Sequence, residues 1–229
     1  MRGSGFPYGA SPVLGKDVAR LYLRDGIFVF GSPTTVMYRS SLVRGQHPFY
    51  AEGLLHEDSE KCMHILEQWD FAFVPQVLSF LRTGNESISG GVRDFQPYSL
   101  DRYILVRRFA STFLEAPEAD ALQHHERKEY YGMLAQQAIR MRSASFWEYH
   151  RRGLNTIAES IDWYELSLAV SRELLWMAIN PGATVKQALS FWNREKSRQV
   201  QVVDPPGTGE RICNQQEEPN KDETHFSHV

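Results

Sequence analysis

The stretch from Gly31 to Ser89 contains three segments in quick succession, and their order is the strongest constraint on the fold. A segment with small, β-branched and aromatic residues begins at Gly31, directly after an apolar run; an acidic pair opens an amphipathic stretch at Glu57, and a run rich in Phe, Val and Leu follows. Continuous apolar runs bounded by glycine indicate buried strands, whereas apolar residues at three- and four-residue steps indicate a helix. The order predicts a strand, a helix that begins at two carboxylates, and a further strand returning to the same edge.

The predicted fold class is α+β, with a small α/β portion followed by a helical region. Strands are expected at 27–30, 34–38 and 71–81. Helices are expected at 16–24, after Asp58, at 97–113, 117–142, 145–154, 157–179 and 184–192. We expect an irregular lead-in at 1–26, the α/β portion at 27–95, the helical region at 96–200 and a disordered tail at 201–229.

The overall charge balance argues against a nucleic-acid partner. With 25 basic and 28 acidic residues among 229, the formal net charge is -3, which leaves no positive field over the molecule. No apolar run approaches the ~20 residues that span a bilayer, so no transmembrane segment is expected. Cys62 and Cys213 have neither a disulfide framework nor the spacing of a zinc site. We predict a reducing, cytoplasmic setting.

The Glu57-Asp58 pair is the main candidate for chemistry. A carboxylate at a helix N-terminus stays ionised because the helix dipole favours negative charge there. Such a group can accept a proton from a hydroxyl as a general base. The alternative is that Asp58 or Ser59 caps the helix and that Glu57 and Glu60 are solvated acids of its first turn. Aspartate caps are common, so spacing alone favours the alternative.

The ordered motifs of this region resemble the acceptor-side half of a family 2 glycosyltransferase. Such enzymes have a strand that begins with Gly-Ser and ends near Arg, an aromatic link, an acidic pair that opens a helix, and a strand with a Val-Pro start and a late Arg. The matching residues are Gly31-Ser32, Met37-Tyr38-Arg39, Phe49-Tyr50, Glu57-Asp58, Val74-Pro75, Val77-Leu78, Arg82 and Ser87-Ile88-Ser89.

The resemblance implies a GT-A-like fold for residues 27–95 and inverting sugar transfer from a nucleotide-sugar donor to a glycan or lipid-linked acceptor. It implies Asp58 as the general base, Glu57 as a support of the acceptor pocket, and Gly31 and Ser32 near the donor sugar. Arg82 can form bidentate bonds to a diphosphate, or it is a surface residue at a strand end. The family also implies a divalent cation, Mg²⁺ or Mn²⁺, for which this sequence identifies no ligand.

The sequence before Gly31 is too short for the donor-binding half of such an enzyme, and no Asp-x-Asp motif precedes that residue. We therefore expect a missing N-terminal half or a homo-oligomer to complete the enzyme. The alternative is a non-catalytic helical scaffold or sugar-binding module derived from a glycosyltransferase. Gly84 stands where many relatives have a histidine that can reach the metal or the phosphates.

Three further groups of residues in the helical region are candidates for a site or for the core. His124 and His125 are adjacent and point in different directions on a helix, which favours a solvated face over a metal site. Arg151-Arg152, which follow two aromatic residues, indicate either plain surface or contact with an anionic lipid carrier. The remaining group is aromatic, and it is expected to fill the core of the helical region; its members are Trp147, Trp163, Trp176 and Trp192.

Overall fold

The structure is a computed structural model that describes residues 9, 12–27, 29–31, 33–50, 57–74, 76, 78, 80 and 93–182. Within these ranges the secondary structure is helical. Two short 3₁₀ turns, Pro33–Thr35 and Arg93–Phe95, accompany the α-helices. The α-helices are α1 (Gly15–Asp25), α2 (Ser40–Arg44), α3 (Glu57–Leu66), α4 (Pro97–Phe113), α5 (Ala116–Ile139), α6 (Ala144–Asn155) and α7 (Trp163–Ile179).

The predicted α+β class with a GT-A-like portion is wrong, because the described residues form no strand. The described residues contain an isolated antiparallel backbone bridge between Val13 and Phe71, with N···O distances of 2.8 and 2.9 Å. In the apolar run before Gly31, Ile27 and Val29 are half-buried against the same cluster of side chains that contains Phe30. Phe30 is buried with its ring centroid 5.2 Å from that of Tyr22 on α1. Burial alone satisfies an apolar run, whereas a strand also needs a neighbour for its backbone.

The structure confirms a helix in each predicted range that it describes, although α5 ends at Ile139, three residues before the predicted end. Three of the helices agree with their predicted ranges to within a residue, namely α1, α4 and α6. Helix α7 begins six residues later than predicted, since residues 156–158 form a turn in which Ala158 has a φ of +56°. The predicted helix at 184–192, the tail at 201–229 and part of the predicted strand at 71–81 lie outside the described residues.

Two clusters of buried apolar side chains form the interior, and α4 contributes to both. Its C-terminal half, with Val106 and Phe109, packs with α1 and α3. Its N-terminal half, with Leu100 and Tyr103, packs with α5, α6 and α7. Helix α4 therefore lies between the two clusters, and apolar side chains along its length are buried in one cluster or the other.

Arginines connect the helices by donating to backbone carbonyls at helix ends. Arg102 of α4 donates to the carbonyl oxygens of Tyr22 and Leu23, at 3.0 and 2.5 Å, and its Nε donates to Glu126 of α5 at 2.8 Å. Arg20 of α1 donates to the carbonyl oxygen of Phe113 at 2.9 Å. The last carbonyls of a helix lack partners within that helix, so these bonds both satisfy them and set the helix positions.

The chain divides into two compact units, residues 1–178 and 179–229, and only 179–182 of the second are described. The domain boundaries expected from the sequence stay predictions. Within the described ranges, every helix falls short of the length and apolar character that crossing a membrane would require.

Candidate functional site

The acidic pair lies in the first turn of α3. That helix begins at Glu57, so Asp58 is inside the first turn and does not occupy a capping position. Its Oδ1 accepts a hydrogen bond from the backbone N–H of Ser59 at 2.8 Å. The N–H groups of a first helical turn have no partner within the helix, and the dipole adds positive potential there. Asp58 therefore lies at the positive end of the helix dipole.

Tyr22 of α1 links this helix end to the chain before Gly31. Its ring packs on Phe30, and its hydroxyl lies beside Ser59 and within electrostatic range of Asp58. Burial raises the pKa of Tyr22 to about 12; Arg102 and Ser59 act in the opposite direction, and Asp58 adds to the rise. Tyr22 thus packs on the residue before Gly31 and lies beside Ser59, the residue that follows the acidic pair.

Gly31 adopts a conformation that other residues rarely take. Its φ is +69°, and a Cβ at this position would come within 2.3 Å of Thr35 Oγ1. The Thr35 hydroxyl donates to the carbonyl oxygen of Phe30 at 3.0 Å, which closes the turn around the glycine. The backbone here needs a glycine, whereas its predicted place near a donor sugar stays a prediction. Ser32 and Arg82 lie outside the described residues.

The segment that follows Gly31 lies on α3 through Tyr38. The Tyr38 hydroxyl and Cys62 Sγ are 3.2 Å apart, and the rings of Tyr38 and Phe49 are in edge contact at 5.1 Å. Lys61 of α3 lies over the ring of Phe49, with its Nζ 4.8 Å from the ring centroid. Burial raises the pKa of Cys62 to about 11, so its thiol is a poor nucleophile and serves as core.

Glu60 is buried, contrary to the sequence prediction that it faces water. Its side chain forms an ion pair with Arg108 of α4, whose other Nη donates to the carbonyl oxygen of Thr156 at 2.8 Å. Only 7% of Glu60 is exposed. The partner is 48 residues away in the sequence, so no local pattern could have identified the pair.

A concave feature lies between the starts of α6 and α7. It is a cleft of about 510 Å³ lined by Ala144, Ser145, Trp147, Glu148, Arg151 and Trp163. The prediction that the tryptophans fill the core is wrong for Trp163 and Trp176, which are 62% and 45% exposed. Trp192 lies outside the described residues. Trp163, the exposed tryptophan of the cleft, comes after a turn in the chain. The spacing of apolar residues in the sequence does not predict that turn.

The basic cluster Arg151-Arg152 and the pair His124-His125 lie at the surface of the helical region. Arg151 and Arg152 both donate to Glu148 of the same helix, at 2.5 and 2.8 Å. Contact of these arginines with an anionic lipid stays a prediction. His124 and His125 are exposed on α5, as expected for a solvated face. Among the described residues, no group of three His, Cys, Asp or Glu side chains is placed to hold a metal ion.

Comparison of the chain with protein-family models, curated proteins and solved structures found no match.

Proposed function

We propose that this chain takes part in inverting sugar transfer and that Asp58 is its general base. One observation carries the proposal: the acidic pair opens α3, as the resemblance to family 2 glycosyltransferases requires, and the turn at Gly31 is joined to it through Phe30 and Tyr22. The order of the motifs along the sequence supports the same function. The GT-A-like fold is not part of the proposal.

In the proposed reaction, Asp58 accepts the proton of an acceptor hydroxyl while that oxygen attacks the anomeric carbon of a nucleotide sugar. The bond from the anomeric carbon to the diphosphate breaks, and the nucleoside diphosphate leaves with the bonding electron pair. Configuration at the anomeric carbon inverts. Glu57 would support the acceptor pocket, while Gly31, Ser32 and Arg82 would face the donor. The acceptor is a glycan or a lipid-linked sugar.

Among the described residues no group of three His, Cys, Asp or Glu side chains is placed to hold a metal ion, and the divalent cation of the family stays a prediction. The sparse cysteines and the buried thiol of Cys62 support the proposed reducing, cytoplasmic setting.

The test is Asp58→Asn in the full chain, assayed by release of nucleoside diphosphate from a panel of UDP-, GDP- and dTDP-sugars with oligosaccharide and polyprenyl-phosphate-sugar acceptors. The amide cannot accept the proton, so the acceptor-dependent rate should fall by about 10²- to 10⁴-fold. The matched control is Asp17→Asn, which makes the same change in the first turn of α1, where the carboxylate only pairs with Arg20. This control should keep the rate.

Two results would contradict the proposal. One is an Asp58→Asn variant that keeps its acceptor-dependent rate and its melting temperature. The other is a wild-type chain that releases no nucleoside diphosphate with any donor and acceptor pair, which would favour the non-catalytic module.

A further inference from the structure

The cleft between α6 and α7 has an aromatic floor that is open to solvent. The ring centroids of Trp147 and Trp163 are 6.2 Å apart with planes inclined by 41°. Because the two rings already contact each other, no ligand can insert between them. A ligand must instead lie across their outer faces. The cleft has a volume of about 510 Å³ and is open to solvent over much of its surface.

Charged side chains border this floor along one edge. Arg151 Nη1 and Arg152 Nε each donate to a different oxygen of Glu148. These ion pairs hold the three side chains in place, and the side chain of Arg151 is still 52% exposed. The edge therefore presents both donors and acceptors, arranged next to an apolar face.

We propose that the Trp147–Trp163 cleft binds a pyranose unit of a neutral glycan. A pyranose ring has a face of C–H groups that can stack on an indole, and its edge carries hydroxyls that both donate and accept. A quaternary ammonium would meet the guanidinium group of Arg151 at the same edge, which disfavours it. A purely apolar ligand would remove Glu148 and Arg151 from water without returning hydrogen bonds.

The inference goes beyond the proposed sugar transfer and does not depend on it. The cleft uses side chains of α6 and α7, whereas the proposed base lies on α3. Binding at the cleft can be measured without a nucleotide sugar. Failure of either proposal leaves the other to be judged on its own result.

The experiment is a titration of the full chain with cellotetraose, mannotetraose, β-1,4-galactotetraose and chitotetraose, followed by tryptophan fluorescence and calorimetry. We expect saturable binding of at least one tetrasaccharide. Trp163→Ala should weaken it at least ~10-fold, the equivalent of one stacking contact. Trp163→Phe should restore part of the affinity. Trp176→Ala, which removes another exposed tryptophan of α7 that does not line the cleft, should change affinity less than ~2-fold.

Trp163 is chosen for substitution because its side chain is largely exposed. Its removal should therefore leave the melting temperature of the protein unchanged. Glu148→Gln gives a second readout, since it frees the two guanidinium groups and should alter the preference among the four sugars. The proposal is overturned if none of the tetrasaccharides shows saturable binding up to ~10 mM. It is equally overturned if Trp163→Ala and Trp176→Ala weaken binding to the same extent.

Discussion

At the scale of single residues, His150 is the side chain whose role differs most from its sequence context. It precedes two arginines at the surface, yet it is fully buried. Its Nε2 lies 2.8 Å from the carbonyl oxygen of Phe95, and its Nδ1 lies 2.9 Å from the hydroxyl of Tyr130. A carbonyl can only accept, so Nε2 carries the hydrogen and Nδ1 accepts from the tyrosine. The geometry holds the neutral imidazole.

Protonation of His150 should destabilise the fold. Burial lowers its pKa to about 4, while the bond to Phe95 acts in the opposite direction. The unfolded chain, with a histidine pKa near ~6.5, takes up the proton first, so stability is complete above that pH and is lost as pH falls towards 4. Between pH 7.5 and 5 the loss in unfolding free energy should be about 2 kcal/mol. Urea denaturation at the two pH values measures it.

The control for this prediction is His150→Gln, whose amide can donate to Phe95 and accept from Tyr130 without titrating. Its unfolding free energy should fall less over the same pH interval, although its value at pH 7.5 is lower. Equal pH slopes for the two proteins would show that the lost stability comes from other groups.

At the scale of elements, helix packing depends on where glycine permits close approach. Gly153 of α6 faces α4, and a Cβ there would come within 2.4 Å of Leu100 Cδ2. Leu100 is itself buried, so it has little room to move. Gly132 of α5 has nothing within 4 Å of the same ideal atom. The two glycines are both helical, and they differ in what surrounds them.

Alanine at these two positions should have effects of opposite sign. Gly153→Ala should lower the unfolding free energy by about 1–3 kcal/mol, because α6 must shift away from α4. Gly132→Ala should raise it by about 0.5–1 kcal/mol, because alanine favours the helix and meets no neighbour. Chemical denaturation of both variants tests this. If both substitutions stabilise the protein, the close contact between α4 and α6 is not formed in solution.

At the scale of the whole molecule, Arg108 connects the two buried clusters that share α4. It pairs with Glu60 of α3 beside one cluster and donates to Thr156, at the turn after α6, beside the other. His64 is a weaker neighbour of Glu60, with Nε2 3.8 Å from the carboxylate. Removal of the arginine alone would leave a buried carboxylate with only this histidine.

Arg108→Leu should therefore lower the unfolding free energy by about 2–4 kcal/mol, a little less than for a fully buried pair because Arg108 is partly exposed. In the double variant with Glu60→Leu no charge is stranded, so most of this loss should be recovered. Urea denaturation of the single and double variants makes the comparison. A double variant no more stable than Arg108→Leu would mean that packing, and not the buried charge, sets the cost.

Part of the candidate site was predictable from the sequence. The start of α3 at the acidic pair follows from a local pattern of carboxylates before apolar residues at helical spacing, and the structure confirms it. The special backbone of Gly31 is consistent with a glycine placed at the end of an apolar run. The burial of Glu60 and the exposure of Trp163 were not predictable, since each depends on which element packs nearby.

The sequence by itself determined most of the described helices, though not α2 or the start of α7, because a 3.6-residue period and its end signals act within a few residues of each other. It did not determine whether the apolar runs at 27–30 and 71–81 would pair as strands. Strand pairing and helix packing require partners distant in the chain, and the apolar pattern is the same for both. Tertiary structure alone decided that Phe30 packs on Tyr22, that Glu60 meets Arg108, and that the tryptophan at the start of α7 is left open to solvent.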